Sequence, residues 1–522
     1  MSSSDDLFQL IKSLSKSEKR FFKITAAKYG EKKENNALML FDAIDQQEDY
    51  DEAKLKKKFS GKKLAVNIAS EKKNLHSLIL STVAPHSTSE KIGRRLEDMM
   101  REAYFLFDKG LYSQCRKQLK KIKELARKNE QFYRLFELFE LEALLLMVTS
   151  DLDALDKLLN EEYEETALAF DRSKTQMQFL VNHYKTFIIS KTHGDDTRNP
   201  KVLEEFNKII SLPLYRDENN ATSLMSKHYF YFLHAVYYRH IADWKNNLLY
   251  SRKDAELYEE HPEFLSENIT QYISALSNLS LVQLELMEFD ESVKTLQKLR
   301  ALDLKEPGLR LKADSIYFPR MAAIFHTSGE FERIRSIVEE LDSFVRSKRG
   351  LFSEWRVPNF YRNTGYCYFG IGEYREALRW VNRLLNDKKL EQTREDLFSS
   401  AKLFYLFIHY ELGNDDLLEH LLRSTERDLS RKGRLFEIEK VVLKFFGRII
   451  QLTDAKEKKE EYIRFRDQLQ TIYDSVPEGD LPGYFDFIAW ANSKIEGRPF
   501  QEIVVENLRL RKERLLHSLE EQ

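Results

Sequence analysis

A chain of 522 residues with 42% hydrophobic content is too long for one compact core, and suits either several domains or one elongated array. Charged residues make up 32%, yet the formal net charge is -2, so no global field draws the protein toward nucleic acid or an acidic partner. Two cysteines, Cys115 and Cys367, exclude a disulfide framework and predict a reducing, cytoplasmic setting.

Only 17 Gly and 10 Pro punctuate the chain, and Leu, Lys, Glu, Phe and Tyr abound, which favours long helices. The opening MSSSDDLFQLIKSLSKSEKR lacks the basic start and apolar run of a secretory signal. Leu141–Val148, the longest apolar candidate, is far too short to cross a bilayer, so no membrane role is expected.

The first segment predicts a small bundle of about five short helices. Leu7–Leu14 follows Asp5 and Asp6. Ser15, with Glu18 three residues on, has the spacing of a capping box and opens a helix carrying Phe21, Phe22 and Ile24. Amphipathic stretches follow over Asn35–Gln47, Asp51–Phe59 and Lys62–Val83. The turn-rich PHSTS at Pro85–Ser89 marks a boundary, giving domains of 1–87 and 88–522.

Beyond it a pattern recurs. In Tyr361–Leu385, Gly365 and Ala377 are small where two antiparallel helices would touch, and Gly372 sits where the chain must reverse. Similar units lie at Lys109–Tyr112 with Cys115 and Leu119, at Met287–Phe289 with Ser292, at Gly329–Phe331 and at Gly413–Asp415. Weaker echoes fall near Ser150, Gly194 and Ala242. The turns at Met287, Gly329, Gly372 and Gly413 are 41 to 43 residues apart.

Tyr361, Gly365, Tyr368, Gly372, Tyr374, Ala377 and Val381 make this unit resemble a tetratricopeptide (TPR) repeat, though that repeat is ~34 residues long. The resemblance covers roughly residues 90–450. It implies an all-α protein: a right-handed TPR-like solenoid of antiparallel helix pairs, with capping helices at its C-terminal end. One helix pair cannot bury its apolar face alone, so its neighbours must cover it. The turn-rich His193–Pro200 and Pro213–Ser223 interrupt the array around a helix at Lys201–Ile210, and Pro319 predicts a kink or late helix start. The tail reads as a loop, Val476–Gly483, then helices over Tyr484–Lys494 and Glu502–Leu519.

No motif predicts catalysis, a metal or a cofactor. Gly365, Gly370 and Gly372 have neither the preceding strand nor the following Lys-Ser/Thr of a phosphate loop. His228, His234 and His240 are six apart, which turns each about 240° from the last and denies them a shared ligand face. The cysteines read as packing thiols, and the carboxylate run at Glu161–Glu165 as a solvated helix face.

Two surfaces remain. In the TPR family the first helices line a concave groove. Position by position, the resemblance places Tyr104, Phe107, Phe232, Arg239, Arg362, Tyr366, Phe369, Phe407 and Tyr410 there, where aromatics and arginines suit capture of a peptide or helix. Lys54, Lys56, Lys57, Lys58, Lys62, Lys63, Lys72 and Lys73 form a basic cluster in the first domain, with the chemistry to meet phosphates or an acidic protein. The expected function is a non-enzymatic scaffold or adaptor that holds a protein or peptide partner in the groove. The alternative is a regulator whose basic module contacts nucleic acid or a ribonucleoprotein, a layout similar to peptide-sensing bacterial regulators.

Overall fold

A computed structural model describes residues 6–29, 35–48, 50–84, 92–193, 200–348, 357–388, 391, 395–475 and 485–521. Among these residues every regular element is helical and there is no strand. The chain divides into two compact units, Met1–Asp98 and Met99–Gln522.

The first unit contains α1 (Asp6–Ser13), α2 (Lys16–Tyr29), α3 (Asn36–Asp45), α4 (Glu52–Lys58), α5 (Lys63–Val66) and α6 (Ile68–Val83). The capping box closes as its spacing predicts: the Ser15 N–H donates to Glu18 Oε2 at 2.8 Å, and the Glu18 N–H donates to Ser15 Oγ at 3.2 Å. Asn35 and Asp51 cap α3 and α4 through their side chains. Leu7, Ile11, Phe22, Phe41, Ile44, Leu55, Leu75 and Ile79 fill one small core. The predicted boundary loop Pro85–Ser89 lies outside the described residues.

The second unit repeatedly uses 17-residue helices joined by three-residue turns. Its opening helices are α7 (Ile92–Asp108), which begins in the first unit, α8 (Tyr112–Lys128) and α9 (Phe132–Val148). The reversals place Gly110, Glu130 and Ser150, each twenty residues on, in the left-handed conformation. Each turn makes the same pair of bonds. Beyond α8, for example, Glu130 N–H donates to Arg127 O and Gln131 N–H to Ala126 O. This pairing satisfies the last helical carbonyls and requires one residue at positive φ. The same turn recurs at Ala242, Met287, Gly372 and Gly413, positions the repeat pattern had singled out, and at Gly433. Gly329 is left-handed as well. Gly194 lies outside the described residues.

After α9, α10 (Leu152–Lys157), a π-turn (Leu158–Glu162) and α11 (Tyr163–His193) follow without a break. The path is about 60 Å long at 1.5 Å per residue. Next come α12 (Pro200–Ile210), α13 (Leu224–His240), α14 (Trp244–Glu260), α15 (Pro262–Glu267), α16 (Ile269–Glu285) and α17 (Phe289–Ala301). They are followed by α18 (Pro307–Thr327), α19 (Val338–Lys348), α20 (Val357–Ile371), α21 (Tyr374–Leu385), α22 (Glu395–Glu411), α23 (Asp415–Arg431), α24 (Glu437–Ile449) and α25 (Ala455–Ser475). Helix α18 runs through Pro319, whose carbonyl accepts a bond from Asn363 Nδ2.

Pairs meet through small residues twelve positions apart. Cys115 Sγ approaches Ala103 O, and Ser292 Oγ donates to Ser280 O at 2.8 Å. A Cβ added to Gly365 would stand 2.9 Å from Val381 and 3.6 Å from the Ala377 carbonyl, so glycine permits the close approach of α20 and α21. Helices pack on their sequence neighbours and on the next but one, as α16 does on α14, α17 and α18.

The tail does not simply extend this series. Helix α26 (Phe487–Glu496) packs on α25 and on the faces of α22 and α24, and α27 (Phe500–Glu521) returns to α20. Val505 stands against Gly329, and Gln501 Nε2 donates to the Gly329 carbonyl. The predicted loop Val476–Gly483 lies outside the described residues.

Candidate partner-binding surface

The groove predicted around α20 and α22 is filled by the chain itself. Tyr366, Phe369 and Phe407 are buried. Phe485 inserts among them, with its ring centroid 5.8 Å from Tyr366, 4.8 Å from Phe369 and 5.6 Å from Phe407. Trp490 stands edge-on to Phe407 at 4.8 Å, and its indole N–H donates to Glu411 Oε1 at 2.6 Å. Lys494 closes on the same carboxylate. Tyr410, half-buried, shares a hydroxyl bond with Tyr462 on α25. These four rings are therefore core: an aromatic-rich face buries its rings wherever a cover exists, and here Phe485 covers Tyr366 and Phe369 while α26 covers Phe407 and Tyr410.

The other predicted groove positions are divided. Phe232 packs on His183 at 4.5 Å and is half-buried. Arg362 lies over the Tyr366 ring and bonds Asn363. Its charge and, more strongly, enclosure push the His326 imidazole down to about 3. Arg239 and Arg320 lie near Glu285, which is itself exposed. Phe107 is half-buried against Tyr112. Tyr104 remains exposed.

Of the predicted basic cluster, Lys72 is structural. Its Nζ bonds Glu52 Oε2 at 2.8 Å and the Tyr50 hydroxyl at 2.7 Å, tying α6 to α4. Lys56 holds the other Glu52 oxygen at 3.0 Å, and Lys58 reaches Gln46. The two lysine bonds lower the Glu52 carboxyl to about 2. Lys62 is exposed with its Nζ 3.9 Å from Met39 Sδ, Lys54, Lys57 and Lys73 face solvent, and the Lys63 side chain lies outside the described residues.

The histidines of α13 serve packing. His228 Nδ1 lies 2.7 Å from Asp254 Oδ1, both almost fully enclosed, which ties α13 to α14. His234 and His240 each bond the carbonyl four residues earlier. Burial pushes the neighbouring His183 down to about 4. Among the described residues no group of three or more His, Cys, Asp or Glu gathers as a metal site. No described helix is long and apolar enough to cross a membrane.

What sequence reasoning missed lies earlier in the unit. Among the described residues, two-thirds of the exposed large apolar side chains fall between Tyr104 and Ile188. Helix α9 is apolar on two faces. Phe132, Leu135, Leu138, Leu141 and Leu145 are buried. Tyr133, Phe136, Leu144 and Met147 stand in solvent on the opposite side, within about 60° of one line at 100° per residue. Tyr104 of α7 borders this second face. Partial burial, then Glu137 and Glu140 of α9, raise its hydroxyl pKa. Phe105 is also exposed. The available signal was an apolar pattern too wide for one buried stripe, visible around the Leu141–Val148 run.

No family model matches the chain, and no curated protein matches it either.

Proposed function

We propose that the second unit is a TPR-like right-handed solenoid acting as a non-enzymatic scaffold, and that its docking surface is the exposed face of α7 and α9. The recurring left-handed turns and the small-residue contacts at twelve-residue offsets support the repeat reading. The observation that carries the docking reading is the second apolar face of α9. A surface helix ordinarily has one apolar stripe, and a second one left in water is costly unless something covers it.

Glu140 is exposed within that face and Glu137, which also accepts a bond from Arg134, lies at its edge, so the partner that fits is an amphipathic helix with apolar anchors and a basic flank. Anchors would bury Tyr133, Phe136, Leu144 and Met147, and the flank would meet the two carboxylates. The test is recovery of the partner by full-length protein and by a Phe136→Glu/Met147→Glu variant. Both positions are exposed, so the fold is expected to survive. Loss of the partner supports the reading; undiminished recovery refutes it.

The exposed Lys54, Lys57 and Lys73 support a second reading, a smaller nucleic-acid contact in the first unit. Its mark is binding that falls steeply with salt and disappears when the three lysines are replaced.

A further inference from the structure

We propose that α11 pairs with α11 of a second copy of this chain, antiparallel, about a two-fold axis near Gln178. The pairing stripe is Phe170, Met177, Val181, Tyr184 and Ile188, all 43 to 65% exposed. With Lys174 these positions follow one another at steps of four, three, four, three and four. That is the seam of a two-helix coiled coil rather than the wider stripe that packs into a globular core. The seam is about 27 Å long at 1.5 Å per residue.

From Lys174 onward this stretch lies beyond the part of α11 that accompanies α9. Arg172 stacks on Phe132, the first residue of α9, whereas Gln176 bonds Ser223 and His183 packs on Phe232 of α13. Those contacts use the opposite side of α11, where Phe179, Asn182, Thr186 and Ile189 are buried. From Lys174 onward the seam is thus separate from the α9 face assigned to a partner helix.

Charge selects the occupant. Asp171, Gln178 and Lys185 lie seven apart on one flank of the seam, all exposed. A two-fold perpendicular to the helix axis brings a flank opposite the same flank of its copy. Asp171 then faces Lys185 of the second copy, Lys185 faces its Asp171, and Gln178 meets Gln178. On the other flank Ser173, Leu180 and Phe187 carry no charge. One helix therefore complements itself when antiparallel.

Area agrees. A half-exposed large side chain leaves about 100 Å² in water. Adding the neighbouring Tyr163 and Phe187 brings the total to about 700 Å², near the roughly 800 Å² per partner of a standard interface.

The experiment is analytical ultracentrifugation of the full-length protein with three sets of variants. Wild type is expected at twice 62.0 kDa. Val181→Glu, at an exposed position, is expected to be monomeric with unchanged helicity. Asp171→Lys and Lys185→Asp each place like charges together and are expected to weaken the dimer about tenfold. Their double variant is expected to restore it, as is an equimolar mixture of the two single variants. Cys115 and Cys367 are buried, so a Gln178→Cys thiol is the reactive one. It is expected to cross-link to its own copy, while Leu168→Cys, about 30 Å from its counterpart across the axis, is not. A monomeric wild type overturns the proposal. So does a dimer that survives Val181→Glu and ignores both charge reversals and the Gln178 thiol.

Discussion

Replacing Trp490 by alanine tests whether α26 is part of the core. The indole is buried among Phe407, Tyr410, Phe445 and Phe446, with Tyr462 and Phe465 at its edges. Truncating a large aromatic in such a site costs about 3–5 kcal/mol. The lost indole bond to Glu411 adds about 1 kcal/mol, limited because Lys494 still holds that carboxylate. The total of roughly 4–6 kcal/mol corresponds to about a thousandfold to ten-thousandfold in local opening. Amide hydrogen exchange reads it residue by residue, which suits a long array that need not unfold in one step. Protection is expected to fall about a thousandfold or more over α26 and over Phe407–Glu411 of α22, with α8 unaffected. Protection of α22 within tenfold of wild type would refute the argument, because α22 would then hold its place without α26.

Two further predictions concern local chemistry. Gly372 has φ +88° and open space around a would-be Cβ, so Gly372→Val is expected to destabilise by about 1–2 kcal/mol through backbone strain alone. Gly447, inside α24 with equal space, is expected to gain about 0.5–1 kcal/mol as alanine; chemical denaturation compares them. Glu52, held at about 2 by Lys72 and Lys56 against an ordinary 4.5, contributes stability that is full above pH 4.5 and is lost as pH falls toward 2. Its side chain is about one-third exposed, so screening reduces the effect to about 1 kcal/mol. In an acid titration followed by circular dichroism, Glu52→Gln is expected to flatten that window for the first unit and leave pH 6–8 less stable than wild type.

Much of the helical framework was legible because its signals are local. A capping box spans four residues, and Ser15 and Glu18 alone determine it. Left-handed turns at Gly372 and Gly413 advertise themselves through glycine, since other residues resist positive φ. Glu130 was missed for the same reason reversed: it takes φ 52° without being glycine, held by the flanking helices α8 and α9. The small residues at Gly365 and Ala377 named a contact between elements adjacent in the chain. Which aromatic face stays open is a different problem. Phe407 and Tyr366 look like groove residues until Phe485 and Trp490, some eighty to a hundred and twenty residues later, are laid on them. Spacing within a helix cannot reveal that cover. Lys72 likewise looked like one lysine in a run, and only the fold brought Glu52 and Tyr50 to it.

The most direct test of the docking account places a photo-reactive phenylalanine analogue at position 136 of the full-length protein, and at position 407 for comparison. The account predicts that position 136 cross-links in cells to a partner segment that is an amphipathic helix with a basic flank, while position 407 reacts only within its own chain, at residues near Phe485 and Trp490. A partner captured at 407 and none at 136 would contradict it.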